Sequence, residues 1–314
     1  MATSKSNPIT QFLPSGESFY PSLSKVQQQN LPKLIKATPL PKMFDDSTHQ
    51  LWDCETKQDA LILKVCNSES VLSSSFWQGM KYLFNVDLPK QLGEFENVYK
   101  VLSKISAFTI PEYIASGSAT ENSLAFIACK KISGTMVLPE NVSDDMVIQL
   151  AEHLVRLHQQ KQVTWGRIND AKFDVSDWSG HLQKTLKLLV KNTGNIPEKL
   201  LDEMLDLAGK IMPNYFVPIM PDLRWDQFLQ KNDKLTALVD LDAFVYGPRE
   251  LEFILLEYIL NNQQAKLFAS FYSQFQPLPQ LEQVREPYRL LLFLMNVLGE
   301  SKIDNWMKAP FRWE

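Results

Sequence analysis

Three oxygen-bearing side chains in one short stretch could together bind a metal ion. Asp222, Gln227 and Asp240 lie in a segment, residues 220–244, that also contains two short apolar runs. Carboxylate and amide oxygens are hard ligands that suit Mg²⁺, which usually keeps water and phosphate oxygens in its coordination shell. The residue types therefore make this segment the candidate metal-binding centre of the chain.

A predicted β-hairpin brings these residues together. The apolar runs 228–230 and 235–239 flank a Lys-Asn-Asp-Lys turn, a pattern typical of hairpins. If Gln230 lies opposite Leu235, the residues just before the first strand lie beside Asp240, so we expect the three oxygen-bearing side chains to gather at one end of the hairpin. The alternative is an ordinary hairpin with solvated polar ends, because Asp is common at strand ends.

The segment resembles the catalytic segment of the aminoglycoside phosphotransferase and choline kinase family. That family usually has His-Gly-Asp, then Asn five residues after the Asp, then a strand that ends in Ile-Asp. This sequence has Met220-Pro221-Asp222, Gln227 and Val239-Asp240 in the corresponding places. Both carboxylates are present and two supporting positions differ, so the chain resembles a divergent member.

The resemblance implies an α+β, bilobal protein-kinase-like fold, with a small N-terminal antiparallel β-sheet lobe with a helix and a larger, mainly helical C-terminal lobe. It also implies an ATP-dependent phosphotransferase that acts on a hydroxyl of a small molecule. In that function Asp222 is the base, and Asp240 and Gln227 bind Mg²⁺. Asp226 or Asp242 could replace a metal ligand.

Two other functions stay open. The altered residues Met220, Pro221 and Gln227 are compatible with a catalytically impaired pseudokinase that acts as a binding or regulatory protein. A helical protein of unrelated function, in which the motif is accidental, is the third possibility.

Lys64 is the predicted phosphate-binding residue of the N-terminal lobe. It lies in the apolar run 60–65, where a lysine is costly unless its ammonium group reaches a partner or solvent. The resemblance assigns it to the nucleotide phosphates and pairs it with a glutamate of the helix predicted over residues 94–105. Glu96 is the predicted partner of Lys64, and Glu94 is the alternative partner. The alternatives are an edge-strand lysine that extends to water and a solvated helix carboxylate.

Backbone groups are expected to complete the nucleotide site. The loop 45–49 corresponds to the phosphate-covering loop of kinases but has no glycine. Its backbone N–H groups at Ser47 and His49 could bind phosphate. The strand predicted over 123–129 continues through Ile132 to Gly134, which resembles the interlobe hinge whose backbone binds adenine. A strand that simply leaves into a loop is the alternative.

The rest of the chain reads mainly as helices, and we expect the large lobe to be all-helical. Ser143 is a good helix N-cap, and an apolar stripe follows it to His158, which we interpret as structural. Downstream, Glu252 or Glu250 could brace the catalytic loop, as an acidic residue does in the family. Residues 304–314 form an aromatic tail that the sequence does not explain.

Composition limits the remaining possibilities. A length of 314 residues fits two lobes: we predict a flexible extension over 1–30, a nucleotide-binding lobe over 31–132 and a helical lobe over 133–314. The net charge of −4 argues against nucleic-acid binding. Three cysteines without metal-ligand spacing fit a reducing cytoplasm, and there is no apolar run long enough for a membrane helix. The sequence does not indicate the oligomeric state.

Overall fold

The computed structural model shows that the chain forms two compact units. It describes residues 19–42, 47–193 and 196–313. The first unit contains the described residues up to Ser74, with Leu88–Tyr99 and Pro111–Ile132. The second contains Ser75–Asp87, Lys100–Ile110 and the described residues from Ser133 onward.

The first unit is built on one five-stranded antiparallel sheet, as predicted for the N-terminal lobe. The strand order is β1-β2-β3-β5-β4, so β3 is the central strand. In chain order, the elements up to the end of this sheet are β1 (Leu34–Pro39), β2 (His49–Thr56), β3 (Ala60–Cys66), α1 (Ser68–Ser73), α2 (Ser75–Phe84), α3 (Leu88–Gln91), α4 (Phe95–Ile105), β4 (Tyr113–Gly117) and β5 (Ala125–Lys130).

The described part of the predicted N-terminal extension is packed against this sheet. Tyr20 is 4% exposed, and its hydroxyl group donates to the carbonyl of Pro32 at 2.8 Å. Tyr20 and Leu23 belong to the apolar core formed by the sheet residues Leu61 and Phe126. Residues 19–30 are therefore not a loose extension, because aromatic and aliphatic burial holds them. Residues 1–18 lie outside the described residues.

Helix α2 packs in the second unit, although its sequence lies within the predicted N-terminal lobe. Its apolar side faces α6 and α10. Gly79 allows this close approach, because a Cβ atom at that position would lie 2.5 Å from the Cγ of Met295. Tertiary packing, which the local pattern does not encode, therefore assigns this helix to the larger unit.

The second unit is mainly helical but also contains two sheets, so the prediction of an all-helical lobe was wrong. The sheet orders are β11-β10-β6 and β8-β7-β12-β9. The elements are β6 (Thr135–Met136), α5 (Asp144–His158), β7 (Thr164–Arg167), β8 (Asp170–Asp174), α6 (Trp178–Thr193), α7 (Glu198–Ala208), β9 (Val217–Ile219), β10 (Phe228–Lys231), β11 (Lys234–Leu238), β12 (Val245–Gly247), α8 (Arg249–Ile259), α9 (Asn262–Tyr272), α10 (Arg285–Leu294) and α11 (Ile303–Met307). The strands are only two to five residues long, too short for a clear alternating pattern.

The predicted helix start and hairpin are both present. Ser143 caps α5 by accepting the backbone N–H of Met146 at 3.2 Å. Strands β10 and β11 pair antiparallel with Gln230 opposite Leu235, which is the expected register. The two turn residues between them, Asn and Asp, have φ values of 54° and 58°. Positive φ at both positions is the signature of a type I′ turn, whose twist matches that of paired strands.

The C-terminal tail is attached through a buried charge cluster, which we call the Glu257 cluster (Glu257, Arg285 and Arg289). Glu257 Oε1 accepts from Arg285 Nε at 3.3 Å, and Oε2 accepts from Arg289 at 2.7 Å. Arg289 also donates to the carbonyl of Ala309 at 2.7 Å, and Arg285 donates to that of Trp313. The tail therefore supplies acceptors for arginines that are otherwise surrounded by apolar side chains.

The cysteines lie in the core of the first unit. All three are buried, as expected for cysteines that pack as small apolar residues. Within the described ranges, we find no helix with the length and apolar character needed to cross a bilayer.

Candidate functional site

The loop that carries Asp222 starts at the end of a fully buried strand. β9 pairs with β12 and ends at Ile219. The chain then turns, and the N–H of Leu223 donates to the carbonyl of Met220 at 3.0 Å. Pro221 lies within this turn, where a proline with fixed φ is favourable. The turn places Asp222 at the end of the strand rather than within it.

A buried network braces this turn through its backbone. Glu252 on α8 accepts the N–H of Met220 at 2.8 Å and bonds His158 Nε2 at 2.8 Å. The other ring nitrogen of His158 lies 2.8 Å from the hydroxyl of Tyr272, which also accepts from Arg249 at 3.1 Å. Of the two glutamates proposed for bracing, Glu252 makes the contact. His158 is part of the support, in agreement with its structural interpretation.

The side chain of Gln227 spans the loop. Its Nε2 donates to the carbonyl of Asp222 at 3.0 Å and lies 3.3 Å from Asp222 Oδ2. Its Oε1 accepts the backbone N–H of Arg224 at 2.9 Å. The residue is 2% exposed. The structure thus joins Asp222 and Gln227, as the hairpin geometry predicts, and both ends of the Gln227 amide are engaged inside the loop.

Asp240 reaches the same end of the hairpin. The N–H of Val239 donates to the backbone carbonyl of Gln227 at 3.0 Å, which places the start of the Asp240 segment beside the loop. The pKa of Asp222 is raised to about 7, first by burial and then by the negative charges of Asp240 and Asp242, against the opposing charge of Arg224. We call Asp222, Asp240 and Asp242 the carboxylate cluster.

The carboxylate cluster brings like charges together around Asp222. Arg224 forms a salt bridge with Asp226, with an Nε–Oδ1 distance of 3.1 Å. Asp222 Oδ1 is buried and has no hydrogen-bond partner within the described part of the chain. Like charges held together in a site of low polarity are unfavourable unless a proton or a cation joins them. The donor set therefore suits a divalent cation.

This cluster is not a preformed metal cage. Among the described residues, no group of three or more His, Cys, Asp or Glu side chains has the geometry to hold a metal ion by itself. Mg²⁺ is normally held by one or two carboxylates together with substrate phosphates and water. An incomplete oxygen site is therefore what a magnesium–nucleotide complex requires from the protein.

The residues predicted for nucleotide binding in the first unit occupy different environments. Lys64 lies on β3, the central strand, and is 8% exposed, so it is not an edge-strand lysine that extends to water. Glu96 and Glu94 are exposed, on α4 and just before it. Burial of the Lys64 ammonium group in the sheet is costly unless that group is paired with a polar or charged partner. Its pairing with Glu96 and its role stay predictions.

Of the predicted backbone contributors, Ser47 and Ile132 lie in loops of the first unit, whereas His49 is the first residue of β2 and pairs with Cys66. Ser47 donates through Oγ to the carbonyl of His49 at 3.2 Å. Two residues of its predicted loop, Asp45 and Asp46, lie outside the described residues. Ile132 follows the end of β5 and is half-buried. Both residues leave backbone groups outside the ladder of the sheet, and their roles stay predictions.

The sequence did not indicate all the residues of this site. Arg224, whose charge favours the ionised form of Asp222, has no distinguishing pattern beyond its place two residues after that aspartate. Tyr272 and Arg249 support His158 from α9 and α8, and their partners are 23 or more positions away in the chain. Only the tertiary structure brings such residues together.

The chain belongs to a known family of enzymes. The family described as the phosphotransferase enzyme family matches residues 36–288, which include both carboxylate-bearing segments. Comparison with curated proteins found no match.

Several solved structures are similar to this chain in fold. A candidate fructosamine-3-kinase from Haemophilus somnus 129PT is 14% identical, with a TM-score of 0.60, and 94% of this chain and 97% of that chain are covered. The macrolide 2′-phosphotransferase MphH from Brachybacterium faecium is 10% identical over 91% and 97%, with a TM-score of 0.55. The streptomycin–ATP–APH(2″)-IIa complex is 15% identical over 84% of each chain, with a TM-score of 0.53. The fold is therefore that of the kinase-like phosphotransferases.

Proposed function

We propose that this protein transfers the γ-phosphate of ATP to a hydroxyl group of a small molecule. The observation that carries the proposal is the carboxylate cluster. Asp222 is held beside Asp240 with one buried oxygen that has no hydrogen-bond partner among the described residues. A structural carboxylate would normally be bonded at both oxygens, whereas a base and a metal ligand need free lone pairs.

The residues of the cluster have separate roles in this reaction. Asp222 accepts the proton of the acceptor hydroxyl, whose oxygen forms a bond to the γ-phosphorus. The bond between that phosphorus and the bridging oxygen breaks, and ADP leaves with the electron pair. The raised pKa of Asp222, caused first by burial and then by Asp240, makes it a stronger base than an exposed aspartate. Mg²⁺ held at Asp240 would neutralise charge on the phosphates.

Binding of the nucleotide is assigned to residues of the first unit. We assign Lys64 to the phosphates, with Glu96 as the residue that orients its ammonium group. Backbone groups at Ser47 contribute to phosphate binding, and those near Ile132 bind adenine. The buried position of Lys64 on a central strand supports its assignment. Complexes with ATP and with GDP among the structural neighbours support a purine nucleotide, of which we propose ATP as the phosphate donor.

The acceptor is assigned only to a class. The structural neighbours are named for fructosamine, macrolide and aminoglycoside phosphorylation or are solved with an aminoglycoside. All of those names describe small hydroxyl-bearing compounds, and this supports a small-molecule acceptor here. A screen of such compounds is therefore the natural starting point.

The proposal is tested by ATP consumption with pools of fructosamines, macrolides, aminoglycosides and other hydroxyl compounds. The wild-type chain is compared with Asp222→Asn, which keeps the shape of the side chain but removes the base. We expect the variant to lose about 10²–10⁴-fold in rate. Asp233→Asn is the matched control, because Asp233 lies exposed in the hairpin turn with positive φ, where Asn is equally suitable. Equal rates in wild type and Asp222→Asn would exclude Asp222 as the base.

A pseudokinase is the second candidate, and one observation favours it. Both ends of the Gln227 amide, which the family resemblance assigns to metal, are engaged within the loop. A protein that binds Mg²⁺ and ATP but consumes no ATP with any acceptor pool would fit this function. Loss of nucleotide binding altogether would favour a role through partner proteins.

A further inference from the structure

The amide of Gln227 has a defined orientation. A backbone N–H only donates and a backbone carbonyl only accepts, so the end that faces Arg224 N–H must be the oxygen and the end that faces Asp222 C=O must be the nitrogen. The distances are 2.9 Å and 3.0 Å. The oxygen that a metal would need is therefore directed at the loop's own backbone.

The backbone of Gln227 binds the second carboxylate segment. Its carbonyl accepts the N–H of Val239 at 3.0 Å, and Val239 immediately precedes Asp240. Its side chain meanwhile holds Asp222. One buried residue thus connects the segment that carries the proposed base with the segment that carries the proposed metal ligand.

We propose that Gln227 is a positioning residue that fixes Asp222 relative to Asp240 and does not bind the metal. Its nitrogen holds Asp222 Oδ2, which leaves Oδ1 as the oxygen available to accept a proton. Of these two residues, Asp240 and not Gln227 would hold Mg²⁺. This replaces the metal-binding role that the family resemblance assigns to position 227, and it rests on the proposed function for the identity of the metal.

The length of the side chain supports this role. An Asn, the usual residue of the family at this position, is one methylene shorter and would not span from its own backbone to both Arg224 N–H and Asp222 C=O. Gln reaches both and satisfies two polar backbone groups that would otherwise be unpaired in a buried turn. The longer side chain therefore acts as a bridge.

The positioning role is tested on the ligand-free protein by amide hydrogen exchange. In Gln227→Asn, the Arg224 N–H loses its acceptor, and we expect the peptide that covers residues 220–227 to exchange about tenfold faster than in wild type. Gln230→Asn is the matched control, because it makes the same change three residues away, at a half-buried position of β10. Exchange equal to wild type in Gln227→Asn would overturn the positioning role.

The metal-binding part is tested with Mg²⁺ and the non-hydrolysable nucleotide AMP-PNP. The measured quantity is the Mg²⁺ concentration that gives half of the maximal thermal shift. Gln227→Met keeps the length of the side chain but removes the amide oxygen, and we expect a midpoint within about twofold of wild type. Asp240→Asn should raise it about tenfold or more. An equal increase in both variants would show that Gln227 is a ligand.

The two tests separate this inference from the proposed function. If the wild-type chain shows no Mg²⁺-dependent binding of AMP-PNP, the proposed function fails, whereas the exchange measurement still decides whether Gln227 holds the loop. If Gln227→Met does not fold, Gln227→Leu, which also lacks the amide oxygen, takes its place in the Mg²⁺ titration.

Discussion

The Glu257 cluster and the carboxylate cluster both bury charge in the second unit, but they satisfy it differently. Both oxygens of Glu257 accept hydrogen bonds, from Arg285, Arg289 and the backbone N–H of Arg312. Asp222 instead has like-charged neighbours and one oxygen that no described residue bonds. A carboxylate paired on both sides stabilises the fold around it, whereas one held beside other carboxylates needs a proton or cation from outside.

Removal of one partner in the Glu257 cluster should produce the largest effect on stability. Arg289→Met leaves Glu257 with a weaker set of partners and removes the donor for the carbonyl of Ala309. We expect the free energy of unfolding to fall by about 3–5 kcal/mol in urea titration, because a buried charge loses its compensation. Lys210→Met is the control, since that surface pair with Asp206 contributes about 0–1 kcal/mol. Equal effects in the two variants would mean that the Glu257 cluster does not hold the tail.

The carboxylate cluster should respond in the opposite direction. Without Mg²⁺, Asp240→Asn removes a like charge from beside Asp222, and we expect the free energy of unfolding to rise by about 0.5–2 kcal/mol. Asp226→Asn is the matched control: it removes a carboxylate that is paired with Arg224 and should not stabilise. Destabilisation by Asp240→Asn under metal-free conditions would show that the cluster is already balanced within the protein.

Sequence patterns predicted the parts of this site that depend on local structure. The Asn-Asp turn and its flanking apolar runs define the register that brings the Asp240 segment beside the loop. The direction of the Gln227 amide was not predictable, because it depends on where Arg224 N–H points within the folded turn. The choice of Glu252 over Glu250 depends on the packing of α8 against β9.

Features that depend on contacts between distant parts of the chain were even harder to predict from the sequence. The aromatic tail had no interpretation in the sequence because its partners, Glu257 and the two arginines, lie on α8 and α10. Helix α2 showed a clear amphipathic pattern, which indicates that one side is buried but not which neighbour buries it. The fold class followed from the family resemblance, whereas the packing partners of individual elements did not.

His153 is a third buried titratable group, and burial favours its neutral form. Burial, with smaller effects of His158 and Arg156, lowers the pKa of His153 to about 3, and the ring accepts the N–H of Ala107 at 3.3 Å. The unfolded chain therefore binds an extra proton below about pH 6.5, and stability should fall as the pH decreases, by about 0.8 kcal/mol at about pH 6 from this residue. His153→Asn should reduce this pH dependence in urea titrations.

The control for that prediction is His181→Asn, because His181 lies half-buried on α6 rather than in the core. The free energy of unfolding of both variants and of wild type is measured at about pH 7 and about pH 6. An unchanged pH dependence in His153→Asn would show that His153 is not held neutral by burial.

We propose that the carboxylate cluster needs a cation that is supplied with the nucleotide. The most direct measurement is the thermal shift of wild type and Asp240→Ala with ATP, with and without Mg²⁺. A ligand at about 100 times its Kd stabilises the folded state by about 2.7 kcal/mol, which a thermal shift readily detects. We predict a shift that requires Mg²⁺ in wild type and is lost in Asp240→Ala. No shift at millimolar ATP, or a shift that is equal in the variant, would contradict the proposed role of the carboxylate cluster in binding Mg²⁺ and ATP.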